Sequence, residues 1–350
     1  MNNFNNQKNF KNIKLEKQMY SVAGKSFSEI LESLDPSFEY KDSSYKDLDA
    51  YERQLKRYDI KISGPKCDTV EKFFISSESA PLFPEYVLRA VKTGVNSDNI
   101  LNNIIATKTY VSSLDYRTIS CDPSVSSKEL KSIAEGSTIP STTISLKNNL
   151  VKLVKSGRLL VSSYEALRSQ KLDVFTVALK QIGSYISTSE LAHAIDILIN
   201  GDGNNNDSQI ISVSKKSKPE HAPLAYSDLI KLWSAFSDDF EMNTLLVSPK
   251  TMTYLLNIEE FKNPATGLNF QKTGKLSTPL GANLYKSSVV PDDMIIALDK
   301  NFALEMVRYG DVCVEYDKLI DRQLERAAIT SISGFSKICP KAVKILKLTQ

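Results

Sequence analysis

A mixed α+β fold is predicted, and three stretches carry the prediction. The first is residues 172–203, LDVFTVALKQIGSYISTSELAHAIDILINGDG, whose apolar side chains recur at three- and four-residue steps. The second is a set of period-two runs, in residues 101–120, 142–155 and 312–334. The third is residues 226–300, where helix and strand patterns alternate in the order αβαββ and make a compact α/β unit. At 350 residues, 41% of them hydrophobic, the chain can build one large or two ordinary domains around a real core.

Along the chain, residues 1–20 are rich in Asn and Lys without periodicity and read as a mobile or partner-ordered arm. Residues 26–34, SFSEILESL, open with a capping pattern in Ser26 and Glu29 and place Phe27, Ile30, Leu31 and Leu34 at helical spacing; Pro36 ends that helix. Residues 48–60 form another short helix, with Tyr51, Leu55 and Tyr58 on one side and Glu52, Arg53, Lys56 and Arg57 on a basic outer face. Such pieces have too little neighbouring sequence to bury their own stripes, so they need another surface. Residues 82–95 read as a helix opened by Pro84 and closed by Gly94.

The period-two runs that follow make a long hairpin. Tyr110, Leu114, Tyr116 and Thr118 share a side of the outgoing strand; on the return, Ile144, Leu146, Leu150 and Val154 alternate with Ser145, Lys147, Asn149 and Leu153. The tip, residues 122–140, is polar and holds Lys128, Lys131 and Glu135. A ribbon of this length reaches roughly 30 to 40 Å and is marginal in water by itself. With no further strand run adjoining it, its apolar side chains find cover on another copy.

Residues 163–170 read as a short helix. In the long helix after it, Asp173 is the N-cap, and Phe175, Leu179, Ile182, Ile186 and His193 mark a face that Val174, Ala178, Tyr185, Ala192 and Ile199 widen. Asn200, Gly201, Asp202 and Gly203 stop it, because the glycines accept positive φ and Asn and Asp favour turns. At ~1.5 Å per residue it spans roughly 40 Å, a strut for other elements to pack along. Residues 201–223 read as a polar loop; Asp202, Asn204 and Asp207 lack the glycine and terminal glutamate of a calcium loop and read as a turn. The insertion at residues 261–281 is a Gly- and Pro-containing loop. In the last part, Val312, Val314 and Tyr316 and then Ala328, Thr330, Ile332 and Gly334 alternate as long strands; Asp317, Lys318, Asp321, Arg322, Glu325 and Arg326 mix both signs closely, a pattern that sets register between subunits or forms a solvated face.

Composition excludes several classes. Net charge is +3, from 44 basic and 41 acidic residues, so no strong field exists to collect nucleic acid, and any DNA contact is local and weak. No apolar run approaches the ~20 residues of a membrane helix. MNNFNNQKNFKNIK has no signal-peptide core, so the protein is expected in the cytoplasm, with no membrane partner. Cys67, Cys121, Cys313 and Cys339 lack metal-ligand spacing and read as reduced thiols. His193 reads as a core histidine and His221 as a loop residue, leaving histidine catalysis little to draw on. Gly24-Lys25-Ser26 lacks the first glycine of a phosphate loop and a preceding strand; Glu259 and Glu260 sit at an exposed helix end; no GxSxG or HExxH occurs, nor a GxGxxG following a strand. No catalytic, cofactor-binding or metal residue is expected, and the chain is read as not an enzyme.

Taken in order, LINGDG at the end of the long helix, LLVSPKTM, TPLGANLYKSSVVP and DRQLERAAITSISGF resemble the major capsid protein of tailed bacteriophages, the Hong Kong ninety-seven fold, over residues 82–348. The resemblance implies an N-terminal arm at 1–80, a peripheral domain in three pieces (81–110, 156–204 with the spine helix, 309–350 as returning strands), an extended hairpin loop at 111–155, and an axial domain at 205–308. It implies self-assembly into hexamers and pentamers of an icosahedral head, with packaged double-stranded DNA on the inner face. Scaffold, maturation protease, portal and decoration proteins are further candidate partners, and the place is the virion capsid, assembled in host cytoplasm. Lys128, Lys131, Glu135, Asp321, Arg322, Glu325 and Arg326 are the candidate assembly residues. In some relatives a loop lysine bonds covalently to an asparagine of a neighbour's returning strands; residues 311–350 contain no asparagine, which argues against that crosslink. The alternatives are an encapsulin-type compartment shell and a soluble enzyme with an unrecognised site.

Overall fold

The computed structural model describes residues 12–21, 25–41, 45–97, 100–120, 132–133, 135–137, 139, 145–204, 206–213, 224–262 and 280–348. The chain divides into two compact units.

The first unit draws on Met1–Ser97, Gly157–Ile186 and Val312–Thr330. Its helices α1 (Phe27–Leu34) and α2 (Ala50–Arg57) each start on a reciprocal capping box, Ser26 with Glu29 and Asp49 with Glu52. Their stripes are not left for another molecule. Phe27, Leu31, Tyr51 and Leu55 pack with Val70 and Phe73 onto Leu82, Tyr86, Val87 and Val91 of α3 (Leu82–Asn96), so the surface they need belongs to the same chain. Arg53 also departs from expectation. It is wholly buried rather than on an outer face, its guanidinium donating to Asp35 Oδ2 at 2.8 Å and Leu48 O at 2.6 Å and lying 4.3 Å from the Tyr40 ring centre. Paired and hydrogen-bonded in this way, a charge tolerates removal from water.

Gly94 does not close α3, which continues to Asn96. It is a crossing point: a Cβ there would lie 2.1 Å from Lys180 O, and one on Gly183 would lie 2.2 Å from Val91 O. After α4 (Tyr164–Ser169) comes the spine helix α5, Leu172–Asn200, in a single piece. Helical backbone begins at Leu172, so Asp173 lies in the first turn instead of capping it. Leu172, Phe175, Leu179 and Ile186 are buried in the first unit's core. The face is narrower than expected, because Val174 (61% exposed), Ala178 and Tyr185 (52%) turn to solvent. Gly201 and Gly203 stop the helix at φ +79° and +85°.

The strands are β1 (Ile105–Val111), β2 (Ile119–Ser120), β3 (Ser145–Leu146), β4 (Val154–Ser163), β5 (Gln209–Ser212), β6 (Thr244–Val247), β7 (Asn283–Lys286), β8 (Met294–Leu298), β9 (Leu304–Tyr309), β10 (Cys313–Leu319), β11 (Leu324–Lys337) and β12 (Val343–Lys347). In the first unit β10 runs antiparallel to the start of β11, which also pairs β4. The second unit uses Asp98–Ser156, Ser187–Asp311 and Ser331–Gln350. There the end of β11 runs antiparallel to β9, and β9 runs parallel to β1. A strand therefore does adjoin the outgoing hairpin run, which the sequence reading left without one.

The αβαββ region is as expected: α6 (Tyr226–Ser234), β6, α7 (Pro249–Asn257), β7 and β8, with one further turn of helix at Glu259–Lys262. Its sheet has the order β5-β12-β8-β6-β7. Two members come from outside the region expected to form it. β5 lies in the stretch read as a polar loop, and β12, read as a returning strand beside the spine, runs antiparallel to β8 and parallel to β5. Pleating sends alternate residues to opposite faces. Leu245, Val247, Ile295, Ala297 and Leu346 meet α6 and α7 through Leu229, Leu232, Met252 and Leu255. On the other face Leu246, Ile296, Leu298 and Val343 meet Leu191, Ala194, Ile195 and Leu198 of the spine. Each fully buried aliphatic contributes about 1.5–3 kcal/mol relative to exposure.

Candidate assembly site

The hairpin follows β1 within the second unit, and its root shows how it is held. The outgoing chain is not a continuous strand: it breaks after Val111 and resumes at β2. Among the described residues the limbs are joined by Val151 N to Tyr116 O at 2.8 Å, Lys147 N to Thr118 O at 2.9 Å, and the antiparallel pairs Ile119–Leu146 and Ser120–Ser145.

Each limb ends in a buried carboxylate. Glu305 on β9, 4% exposed, accepts from the hydroxyls of Thr109, Tyr116 (2.8 Å) and Thr118, all on the outgoing limb. Burial and that carboxylate push the Tyr116 hydroxyl up. On the return limb Lys147 Nζ donates to Asp202 Oδ2 at 2.9 Å, to Ser336 Oγ at 3.3 Å and to Lys337 O. Asp202 Oδ2 also accepts from Ser336 Oγ at 2.6 Å and Lys337 N at 3.1 Å, and its other oxygen from Asn204. Burial alone would raise the Asp202 carboxyl, but these donors and the Lys147 charge hold it well below the usual carboxylate range. Asn149 fastens the same limb to Gly203 O and Asn204.

Lys337 lies beneath, with no exposed surface, and donates to Leu198 O at 3.0 Å, Asn206 O at 2.7 Å and Ser208 Oγ at 2.9 Å. A cation there satisfies a carbonyl of the spine's last turn and opposes the helix dipole. Burial, opposed by Asp202 and Asp207, pushes its ammonium down to about 8. Nearer the middle of the spine, Glu190 accepts from Arg308 Nη2 at 2.8 Å and Ser331 Oγ at 2.9 Å.

The root faces its side chains against ordinary patterning. On the return limb the polar Lys147 is 9% exposed while its neighbour Leu146 is 63% exposed. Leu114, Ile119, Ile133, Ile139 and Leu150 are 44–72% exposed as well. On the return limb the expected alternation has its greasy side away from the unit, whereas on the outgoing limb Leu114 is exposed but Tyr116 and Thr118, expected on the same side, turn to Glu305.

Of the expected assembly residues, Lys128 and Lys131 lie outside the described residues, and Glu135 is exposed in a turn. Asp321 and Arg322 are exposed and 3.8 Å apart, and Arg326 pairs with Asp317 across β10 and β11 at 2.5 Å. Glu325 is a correction: it is 6% exposed, because the pleat of β11 puts it on the inward face with Ala327 and Ile329. Sequence reasoning missed Asp202, Glu305 and Lys337 as anchors. The available signal was a lone charge inside an apolar run, LEMV for Glu305 and SGFSKIC for Lys337.

Among the described residues no cluster of three or more His, Cys, Asp or Glu side chains could hold a metal, and no helix is long and apolar enough to cross a membrane. His193 is part-buried edge-on against Phe335 at 5.4 Å, and burial pushes its imidazole down. Cys67 and Cys339 are buried and Cys313 is exposed; Cys121 and His221 lie outside the described residues.

Residues 148–316 match the family described as phage capsid protein. That stretch, just under half of the chain, is similar to the phage capsid protein family. The chain also resembles solved shells. The capsid of a native GTA particle is 15% identical, with 73% of this chain and 91% of that one covered, at a TM-score of 0.51. A virus-like particle from Pyrococcus furiosus is 15% identical over 75% and 98% of the two chains at 0.49. The holo-SrpI encapsulin from Synechococcus elongatus is 12% identical over 72% and 87% at 0.47. No curated protein matches the chain. Its fold is the Hong Kong ninety-seven capsid fold, shared with the native GTA capsid.

Proposed function

We propose that this chain is the major head protein of a tailed phage, assembling in host cytoplasm into hexamers and pentamers that close an icosahedral shell around double-stranded DNA. The observation that supports this reading most is the outward apolar face of the hairpin root, with Leu146 at 63% exposure beside a buried Lys147. Exposed apolar side chains on a protruding ribbon are covered when an identical copy lies beneath, and in a closed shell every copy both gives and receives that cover. The hairpin loop is residues 111–155, and the α/β unit occupies the axial position. Scaffold, maturation protease, portal and decoration proteins are the partners such an assembly would use.

Deleting residues 122–140 tests it. The expected result is a folded subunit, cooperative in thermal unfolding, that no longer forms closed shells by negative-stain microscopy; normal shells from the deletion would remove the hairpin from the account. The nucleic acid recovered from purified intact shells tests the contents. Double-stranded phage DNA is expected, and shells filled with a cargo enzyme instead would point to an encapsulin.

A further inference from the structure

A cleft of about 640 Å³ in the second unit, apart from the hairpin root, has a composition that shell assembly does not explain. Its lining includes Trp233, Phe236 and Phe240 together with Asp238 and Glu241. Trp233 lies in the last turn of α6 and is 50% exposed. Phe240 is seated edge-on against Phe302 at 5.6 Å.

The rim is built rather than loose. Phe236 N donates to Trp233 O and Phe240 N to Ser237 O, closing successive turns. Asp299, 3% exposed, then pins the following segment, accepting Glu241 N at 3.0 Å and Asn243 Nδ2 at 2.8 Å. Asp238 and Glu241 are exposed and have no ion-pair partner among the described residues, and no Lys, Arg or His is among the described residues lining the cleft. A chain of net charge +3 thus sets two unpaired carboxylates around an aromatic wall.

We propose that this cleft docks a lysine or arginine side chain presented by a protein partner. The aromatic faces take the alkyl stem and attract the cation through their quadrupoles. Asp238 and Glu241 supply the opposite charge at the mouth, which favours a cationic occupant over an apolar or anionic one.

Trp233 is the only tryptophan of the chain, so its emission reports occupancy directly. The full-length protein is titrated with an acetylated Gly-Lys-Lys-Gly amide, with the same peptide carrying norleucine for lysine, and with spermidine. A saturable change with the lysine peptide is expected, absent with norleucine and at least tenfold weaker in the Asp238→Asn, Glu241→Gln double variant, whose melting temperature stays that of the parent. No response, an equal response to norleucine, or a lysine response untouched by the double substitution overturns the proposal. Tighter binding of spermidine than of the peptide overturns the assignment to a protein-borne side chain.

Discussion

Gly183 and Gly94 show how little room single atoms have where α3 crosses the spine. A methyl at either position would enter backbone carbonyl oxygens of the opposing helix at 2.2 and 2.1 Å, where no side chain can swing aside. Gly183→Ala is therefore expected to destabilise by about 1–3 kcal/mol despite alanine's better helix propensity, read as a lowered urea midpoint. Asp202 is the other sensitive position. Asp202→Asn leaves the buried Lys147 ammonium without its counter-charge, and the expected cost is about 3–5 kcal/mol in urea unfolding. Because the Asp202 carboxyl lies lower in the folded chain than in the unfolded one, its contribution is full above the unfolded value of about 4. It is lost as pH falls through the depressed folded value, so the variant should lose less stability on acidification than the parent. Lys337 acts at the opposite end of the scale. Its folded value of about 8 lies below the ordinary 10.5, so across that window the unfolded chain binds the extra proton and stability rises with pH. Urea unfolding at about pH 7.5 and about pH 9.5 should show that rise in the parent and a smaller one in Lys337→Met; equal slopes would show the ammonium is not held down.

At the scale of elements, the hairpin is an anchored ribbon with its wrong face outward. Glu305 and Asp202 each gather donors from one limb, so the root is fixed while Leu114, Leu146 and their neighbours stay in water. Leu114→Asp with Leu146→Asp should change subunit stability by no more than about 0.5 kcal/mol, since neither side chain is buried, yet prevent shells visible by microscopy. The long helix and the αβαββ run were legible in the sequence because each buries one repeating face, and a 3.6- or two-residue period survives as pattern. What was not legible has a common cause in partners distant along the chain. The residues QIIS of β5 and VKILK of β12 look alike as short strands, and only their pairing with each other and with β8 assigns them to the axial sheet. Lys147, just past β3, and Lys337, at the end of β11, sit where a lysine reads as outward, and burial is decided by Asp202 and by the spine's last carbonyls. The stripes of α1 and α2 announced that cover was needed without saying that α3 would provide it.

On the proposed reading, the molecule as a whole is a shell subunit that leaves apolar side chains of its hairpin ribbon exposed. Its two units bury continuous cores, and the N-terminal helices are part of one of them. Of the large apolar side chains exposed among the described residues, Leu114, Ile119, Ile133, Ile139, Leu146, Leu150 and Val154 lie between residues 111 and 155. The most direct measurement is a cryo-electron microscopy map of the assembled particle at side-chain resolution. The account predicts a closed shell in which Leu114, Ile119, Leu146 and Leu150 lie against a neighbouring copy. A shell in which that ribbon folds back over its own subunit, with those side chains covered from within, would contradict it.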